Sequence, residues 1–286
     1  MDAPHMTLVG DIAIGDMRVP RIGFGAMRIT GDGIWGEPAD PDEARRVLQR
    51  SVDLGVRFID TADSYGPEVS ENLIFETLHP YPEGLVIATK GGIVRPNQGT
   101  WERDGRPAHL REACESSLRR LHVERIDLYQ LHAIDPRVPL EDSIGELARL
   151  QQAGKIRHNG VSNFSLAELE RARRLVKVVS VQNRYNVADR SSDDVLAACE
   201  SNGLAFIPWA PLVQGAKDQD APQRVALQNW AQSRDLSVHQ AAIAWLLSRS
   251  RAMLPIPGTS KVAHLESNVA AALAAAAMAG DLASIK

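Results

Sequence analysis

Arg57-Phe58-Ile59-Asp60-Thr61-Ala62-Asp63-Ser64-Tyr65-Gly66 is a short apolar run that ends in a carboxylate and opens into a turn. Read as a strand and a loop, it puts Asp60 at the strand's C-terminal end. Tyr65, beside Gly66 and Pro67, can then curl back over that carboxylate. The same pattern recurs along the chain. Apolar runs lie at 21–27, 57–60, 85–90, 126–132, 158–162, 178–182, 205–210 and 252–257. Between them lie amphipathic stretches at 41–54, 68–78, 107–121, 139–152, 165–176, 191–201 and 237–249, and a last one runs from Val262 into an alanine-rich tail at 270–279. Several carry helix-start signals. Asp40-Pro41 puts proline at the first helical position, Glu141 and Asp142 follow Pro139 in a first turn, and Ser165 with Glu168 forms a capping box.

Eight buried-looking strands alternating with eight helices predict an α/β fold of parallel βα units. The strands are apolar throughout rather than alternating, as a sheet covered on both faces requires. Eight such units close a (β/α)8 TIM barrel, and 286 residues suit one. The expectation is a single barrel domain over residues 1–286, with a short N-terminal β-hairpin (7–9 and 17–19, around Gly10 and Gly15) closing its bottom. A doubly wound sheet would want Gly-x-Gly-x-x-Gly after its first strand. Gly23-Phe24-Gly25-Ala26-Met27-Arg28 has no third glycine and no helical stretch directly after it.

Composition narrows the function classes. The chain balances 32 basic against 36 acidic residues for a net charge of −4, and no basic tract points to nucleic acid. No stretch approaches the length of a membrane span, and no charged-then-apolar leader is visible. Cys114 and Cys199 make neither a disulfide framework nor a zinc site. The expectation is a cytoplasmic monomer that meets neither membrane nor nucleic acid.

In such a barrel the site lies at the C-terminal strand ends. Those ends read Gly25-Ala26-Met27, Asp60 with Tyr65 beyond it, Thr89-Lys90, Leu131-His132, Ser162-Asn163, Gln182-Asn183, Trp209-Ala210-Pro211-Leu212 and Ile256-Pro257-Gly258-Thr259-Ser260. Taken singly, each has a bland reading. A lysine at a strand end is usually solvated, Asp60 could pair with Arg57, and Trp209 could be core. Asp60, Tyr65, Lys90 and His132 arriving in order on consecutive strand ends shift the balance. A lysine beside a tyrosine favours tyrosinate and is expected to bring the phenol's pKa down from near 10. Asp60 would compensate the buried lysine, and His132 could donate to the same carbonyl oxygen. That set does not make a metal site. It suits general-acid catalysis at a carbonyl, with a bound cofactor as hydride source. Pro257-Gly258-Thr259-Ser260-Lys261 leads from strand eight into a helix, a usual phosphate site in barrels. Ser162, Asn163 and Gln182 can hydrogen-bond a carboxamide, and Trp209 can stack on a nicotinamide ring.

These residues resemble the aldo-keto reductases along essentially the whole chain. The pieces that carry the resemblance are Gly-Phe-Gly-Ala-Met from Gly23, Phe-Ile-Asp-Thr-Ala-Asp-Ser-Tyr-Gly from Phe58, Ile-Ala-Thr-Lys from Ile87, Asp-Leu-Tyr-Gln-Leu-His from Asp127, Gly-Val-Ser-Asn-Phe from Gly160, Val-Gln-Asn-Arg-Tyr-Asn from Val181 and Ile-Pro-Gly-Thr-Ser from Ile256. The resemblance implies a (β/α)8 barrel, NADPH/NADP+ ahead of NADH, no metal, and Asp60, Tyr65, Lys90 and His132 as the catalytic tetrad. Tyr65 is the implied acid. It also implies cofactor contacts from Ala26, Met27, Asp60, Ser162, Asn163, Gln182, Trp209, Ala210, Pro211, Leu212, Gly215, Ile256, Gly258, Thr259, Ser260, Lys261, His264 and Asn268. Two positions depart from many relatives: Gly258 stands where they carry lysine, and His264 where they carry arginine. The loop 31–38 and the run 257–265 look like the bacterial pyridoxal reductase branch. Met27, Trp35, Tyr65, Ile93, Trp101, His132 and Trp209 are the expected pocket walls, and aromatic walls favour a flat carbonyl substrate such as pyridoxal or another aromatic aldehyde. The same fold also serves nucleotide-sensing binding subunits with little turnover, which is the alternative function.

Overall fold

A computed structural model describes residue 6, residues 9–211, residues 221–282 and residue 285. The chain enters through an antiparallel hairpin, β1 (Asp11–Ile14) and β2 (Met17–Pro20), paired Ile12 to Val19 and Ile14 to Met17. Of the expected first strand, 7–9, Thr7 and Leu8 lie outside the described residues, and the paired strand is Asp11–Ile14. Alternation explains the placement. Ile12 and Ile14 point inward while Asp11 and Ala13 face water, and Gly15 makes the turn at φ 65°.

The barrel strands follow in order: β3 (Phe24–Gly25), β4 (Phe58–Asp60) and β5 (Val86–Gly91). A small antiparallel pair, β6 (Ile93–Val94) and β7 (Glu102–Arg103), decorates the next loop. Then come β8 (Ile126–Leu131), β9 (Ile156–Ser162), β10 (Val178–Arg184) and β11 (Ala205–Trp209). The seven barrel strands are parallel, each paired with its neighbour in chain order. The expected eighth strand, 252–257, closes the curl with one bridge only, Phe206 to Met253. Leu254 N donates to Phe206 O at 2.9 Å on one side, and Gly23 N donates to Pro255 O at 2.9 Å on the other. Pro255 and Pro257 have no N–H to give, so this run cannot build a regular ladder.

Inside the barrel, Phe58, Val86, Ala88, Leu128, Val179, Ala205, Ile207, Leu254 and Ile256 pack on the hairpin's Ile12, Ile14, Met17 and Val19. The hairpin is therefore the bottom plug, and it leaves the opposite rim open. A larger apolar layer joins the strands to the outer helices. These are α1 (Pro41–Asp53), α2 (Val69–Leu78), α3 (Pro107–Leu121), α4 (Leu140–Gln152), α5 (Leu166–Arg173), α6 (Asp193–Asn202), α7 (Pro222–Gln232), α8 (Val238–Arg249) and α9 (Val262–Leu282). Asp40 caps α1 through Glu43 N at 2.9 Å, and Ser165 and Ser237 close capping boxes on α5 and α8. α7 has no counterpart among the amphipathic stretches of the sequence. Its buried residues are only Leu227 and Ala231, too few for a visible apolar stripe. Behind the rim, buried Glu71 of α2 accepts Thr89 Oγ1 at 2.6 Å and Arg120 Nε at 2.6 Å, which ties α2 and α3 to β5.

Candidate active site

Consecutive strand ends bring the four expected catalytic residues together. Lys90, near the end of β5, is fully buried and donates from Nζ to Asp60 Oδ2 at 2.7 Å, to Thr61 O at 2.8 Å and to the Tyr65 hydroxyl at 3.3 Å. Three acceptors satisfy three ammonium protons. The other Asp60 oxygen, Oδ1, accepts Gln182 Nε2 at 2.7 Å and Gln130 Nε2 at 3.2 Å. The carboxylate is thus held from three strands and cannot swing into the cavity. Tyr65 packs edge-on to His132, with ring centroids 5.9 Å apart at 82°. His132 Nδ1 lies 3.4 Å from Ser64 Oγ.

Because Lys90 donates to the Tyr65 oxygen, the phenol's own proton is left to point elsewhere. Burial raises the Tyr65 pKa above its ordinary value, while Lys90 pulls it down. The net direction is upward, against the expected drift towards neutrality, because the ring sits too deep for the ammonium to win. Burial disfavours the Lys90 charge, but Asp60 and Tyr65 outweigh it and leave the lysine raised and cationic. Burial first, and then Lys90, holds His132 well below its ordinary value, so the imidazole is neutral.

These groups open on a cavity of about 490 Å³, lined in part by Gly25, Met27, Arg28, Asp60, Tyr65 and His132. The rest of the lining is Trp101, Ser162, Asn163, Gln182, Trp209, Ala210, Pro211, Ile256 and Gly258. Asn163 sits in the left-handed region at φ 61° and is already engaged at both ends of its side chain. Its Nδ2 donates to His132 O and Ser162 Oγ, each at 3.0 Å, and its Oδ1 accepts Trp209 Nε1 at 3.0 Å. It therefore braces the Trp209 ring, which Arg184 overlies at 5.6 Å. Gln182 spends one amide proton on Asp60, which turns its carbonyl oxygen away from that carboxylate.

The cavity floor is bare backbone where β3 meets the eighth run. A Cβ on Gly25 would lie 2.7 Å from Ile256 O, and a Cβ on Gly258 would lie 2.6 Å from Gly25 O. Position 258 has no room here for the lysine that many relatives carry. A glycine floor, the Ser162 hydroxyl, the Gln182 amide and a flat indole wall fit a nicotinamide nucleotide in the chemistry they offer. Among the described residues, no cluster of three His, Cys, Asp or Glu is placed to hold a metal ion. No helix among them is long and apolar enough to cross a membrane.

Other expected residues lie apart from this cavity wall. Ala26 is buried behind it, in a 3-10 turn (Ala26–Ile29) that the sequence reading did not anticipate. Thr259, Ser260, Lys261, His264 and Asn268 cluster around the start of α9, where Thr259 Oγ1 accepts Lys261 N at 3.1 Å. Glu43, unforeseen, reaches the same place from α1 and accepts Val262 N at 3.2 Å. Trp35 and Ile93 are not among the wall residues. Ile93 is half-buried and paired with Arg103, and Trp35 bridges Gly66. Leu212 and Gly215 lie outside the described residues. Gly25, read only as part of the first strand end, and Arg28, which was not read as a site residue, also line the cavity.

Known proteins resemble this chain along most of its length. Residues 21–285 match the model of the Aldo/keto reductase family. An uncharacterized oxidoreductase of Schizosaccharomyces pombe is 51% identical over 263 residues, which covers 92% of this chain and 85% of that protein. Pyridoxine 4-dehydrogenase of Escherichia coli is 39% identical over 264 residues, with 90% and 91% covered. An aldo/keto reductase of Klebsiella pneumoniae, solved in complex with NADP and acetate, matches with a TM-score of 0.76 at 27% identity, covering 92% of this chain and 89% of that one.

Proposed function

Because the chain belongs to the aldo/keto reductase family, we propose that it reduces aromatic aldehydes or ketones with NADPH, using Tyr65 as proton donor. The observation that carries this reading is the direction of one hydrogen bond: Lys90 Nζ donates to the Tyr65 oxygen at 3.3 Å, which frees the phenolic proton for a substrate in the cavity. Bound in this cavity, a reduced nicotinamide nucleotide supplies the hydride. Ser162 and Gln182 would hold its carboxamide, Trp209 would stack on its ring, and Ser260, Lys261 and His264 would meet its phosphate end.

Tyr65 gives its proton to the carbonyl oxygen as the carbonyl carbon gains the hydride, and the product is the alcohol. The tyrosinate left behind faces the Lys90 ammonium and regains a proton from solvent. Taking Ser64 Oγ, 3.4 Å away, as the donor to His132 Nδ1 leaves Nε2 with the imidazole proton, free to hydrogen-bond the same carbonyl oxygen. Donors fixed in advance of the charge they stabilise are worth more than mobile ones. Asp60 does not touch substrate; it holds Lys90.

The two cysteines support a reducing, cytoplasmic setting. Cys114 and Cys199 are free, and burial pushes both thiols up to about 12. We read the protein as a monomer with one catalytic barrel domain. Substrate class follows from the indole walls, Trp101 and Trp209, and from the pyridoxine 4-dehydrogenase relative, which makes pyridoxal the first carbonyl to try. The test is steady-state oxidation of NADPH and NADH with 4-nitrobenzaldehyde, pyridoxal and propanal. Turnover of the aromatic carbonyls with NADPH supports the reading. Nucleotide binding without turnover of any carbonyl contradicts it and points to a nucleotide-sensing role.

A further inference from the structure

We infer that Arg95 is the positioning residue of the substrate pocket, holding Trp101 as the wall that selects flat carbonyl substrates. The inference rests on the carbonyl-reductase reading above for its kinetic consequence and on geometry alone for the rest. Arg95 follows β6 and is only 8% exposed. Its guanidinium carbon lies 3.7 Å from the Trp101 ring centroid and 5.5 Å from that of Trp35. The donors on its edge reach backbone carbonyls in three loops. Nε donates to Thr100 O at 3.0 Å, NH2 to Gly33 O at 3.2 Å, and NH1 to Ile34 O at 3.0 Å and Ser64 O at 3.4 Å. One planar group thus joins the loops that follow β3, β4 and β5.

Trp101 needs such a support. It lines the cavity, yet it is 40% exposed and follows the polar loop Asn97-Gln98-Gly99-Thr100. Stacking on a guanidinium fixes both its position and its plane. The link to Ser64 O is the second reason to place Arg95 in the site, because the hydroxyl of that same residue lies beside His132. Burial lowers the Arg95 pKa, so the charge is held at some expense to stability. An apolar residue would fill the space at less cost, but it could not join three loops. A lysine keeps the charge and loses both the fork and the stacking face.

The experiment compares the full-length protein with Arg95→Lys and Trp101→Ala, both singly and combined. Arg95→Lys is expected to raise KM for 4-nitrobenzaldehyde about five- to tenfold, with the KM for propanal moving less than about twofold. Trp101→Ala is expected to raise the aromatic KM at least as far, and adding Arg95→Lys to it should change that KM little further. A readout without turnover is acrylamide quenching of the Trp101 emission, taken as the difference from Trp101→Phe, which should increase at least twofold in Arg95→Lys. Unchanged quenching overturns the inference, and so does a KM that rises equally for propanal and 4-nitrobenzaldehyde. If the wild-type protein reduces neither aldehyde, the reductase reading fails while the quenching measurement still decides whether Arg95 positions Trp101.

Discussion

Replacing Lys90 by methionine keeps the shape of the buried side chain and removes its charge. Two effects follow from the distances. The Asp60 carboxylate, 2% exposed, loses the ammonium at 2.7 Å and keeps two amide donors, Gln130 and Gln182. Breaking a buried pair in this way destabilises a fold by about 3–5 kcal/mol. The tyrosinate formed when Tyr65 gives up its proton also loses its stabilising cation at 3.3 Å. At an effective dielectric of about 20, a unit charge pair at that distance is worth about 5 kcal/mol. Part of that is recovered by solvent entering the variant site, so a loss of about 3–4 kcal/mol, or 10²–10³ in kcat, is expected. Lys90 also draws the Tyr65 pKa down, so its removal should move the pH dependence of alcohol oxidation to higher pH. The assay is kcat and kcat/KM for 4-nitrobenzaldehyde, with nucleotide Kd from quenching of tryptophan emission and thermal unfolding in parallel. A folded variant with unchanged nucleotide affinity and less than a tenfold loss of kcat would refute the role given to Lys90.

Two further outcomes test the electrostatics. Reduction needs Tyr65 protonated, and its pKa is raised above the usual value, so kcat/KM for reduction should stay level through pH 6–9 and fall only as pH rises through that elevated pKa. Oxidation needs the tyrosinate and should run the opposite way. His132, held well below its ordinary value, contributes no limb in that window, so a limb near pH 7 in the reduction profile would contradict the assignment. At the start of α9, Lys261→Ala should weaken NADPH about tenfold and NADH less than about twofold, measured by fluorescence titration. Equal losses would mean that the 2′-phosphate is held elsewhere.

Much of the site could be read from the chain because strands buried on both faces are written as unbroken apolar runs. A polar residue ending such a run stands out, and Asp60, Lys90 and His132 stand out in this way. What escaped reading depends on contacts between distant segments. Arg95 looks like an ordinary loop arginine until the loops from 31–38 and 93–103 meet around it. Glu43 belongs to α1 in sequence and to the start of α9 in space. The sign of the Tyr65 shift was misjudged because it turns on depth of burial, which the spacing of Tyr65 and Lys90 does not reveal. The eighth strand was seen as a run, but its two prolines reduce it to a single bridge. α7 went unseen because two buried residues make no periodic signal.

The central claim is that the Tyr65 hydroxyl, released by the Lys90 hydrogen bond, is the proton donor to a carbonyl. Tyr65→Phe removes that one oxygen and leaves the ring against His132. The measurement is single-turnover and steady-state reduction of 4-nitrobenzaldehyde by NADPH, alongside nucleotide Kd. The account predicts a loss of at least about 10³ in kcat, with Kd within about twofold. Reduction that survives within about tenfold, or about 1.4 kcal/mol, contradicts it.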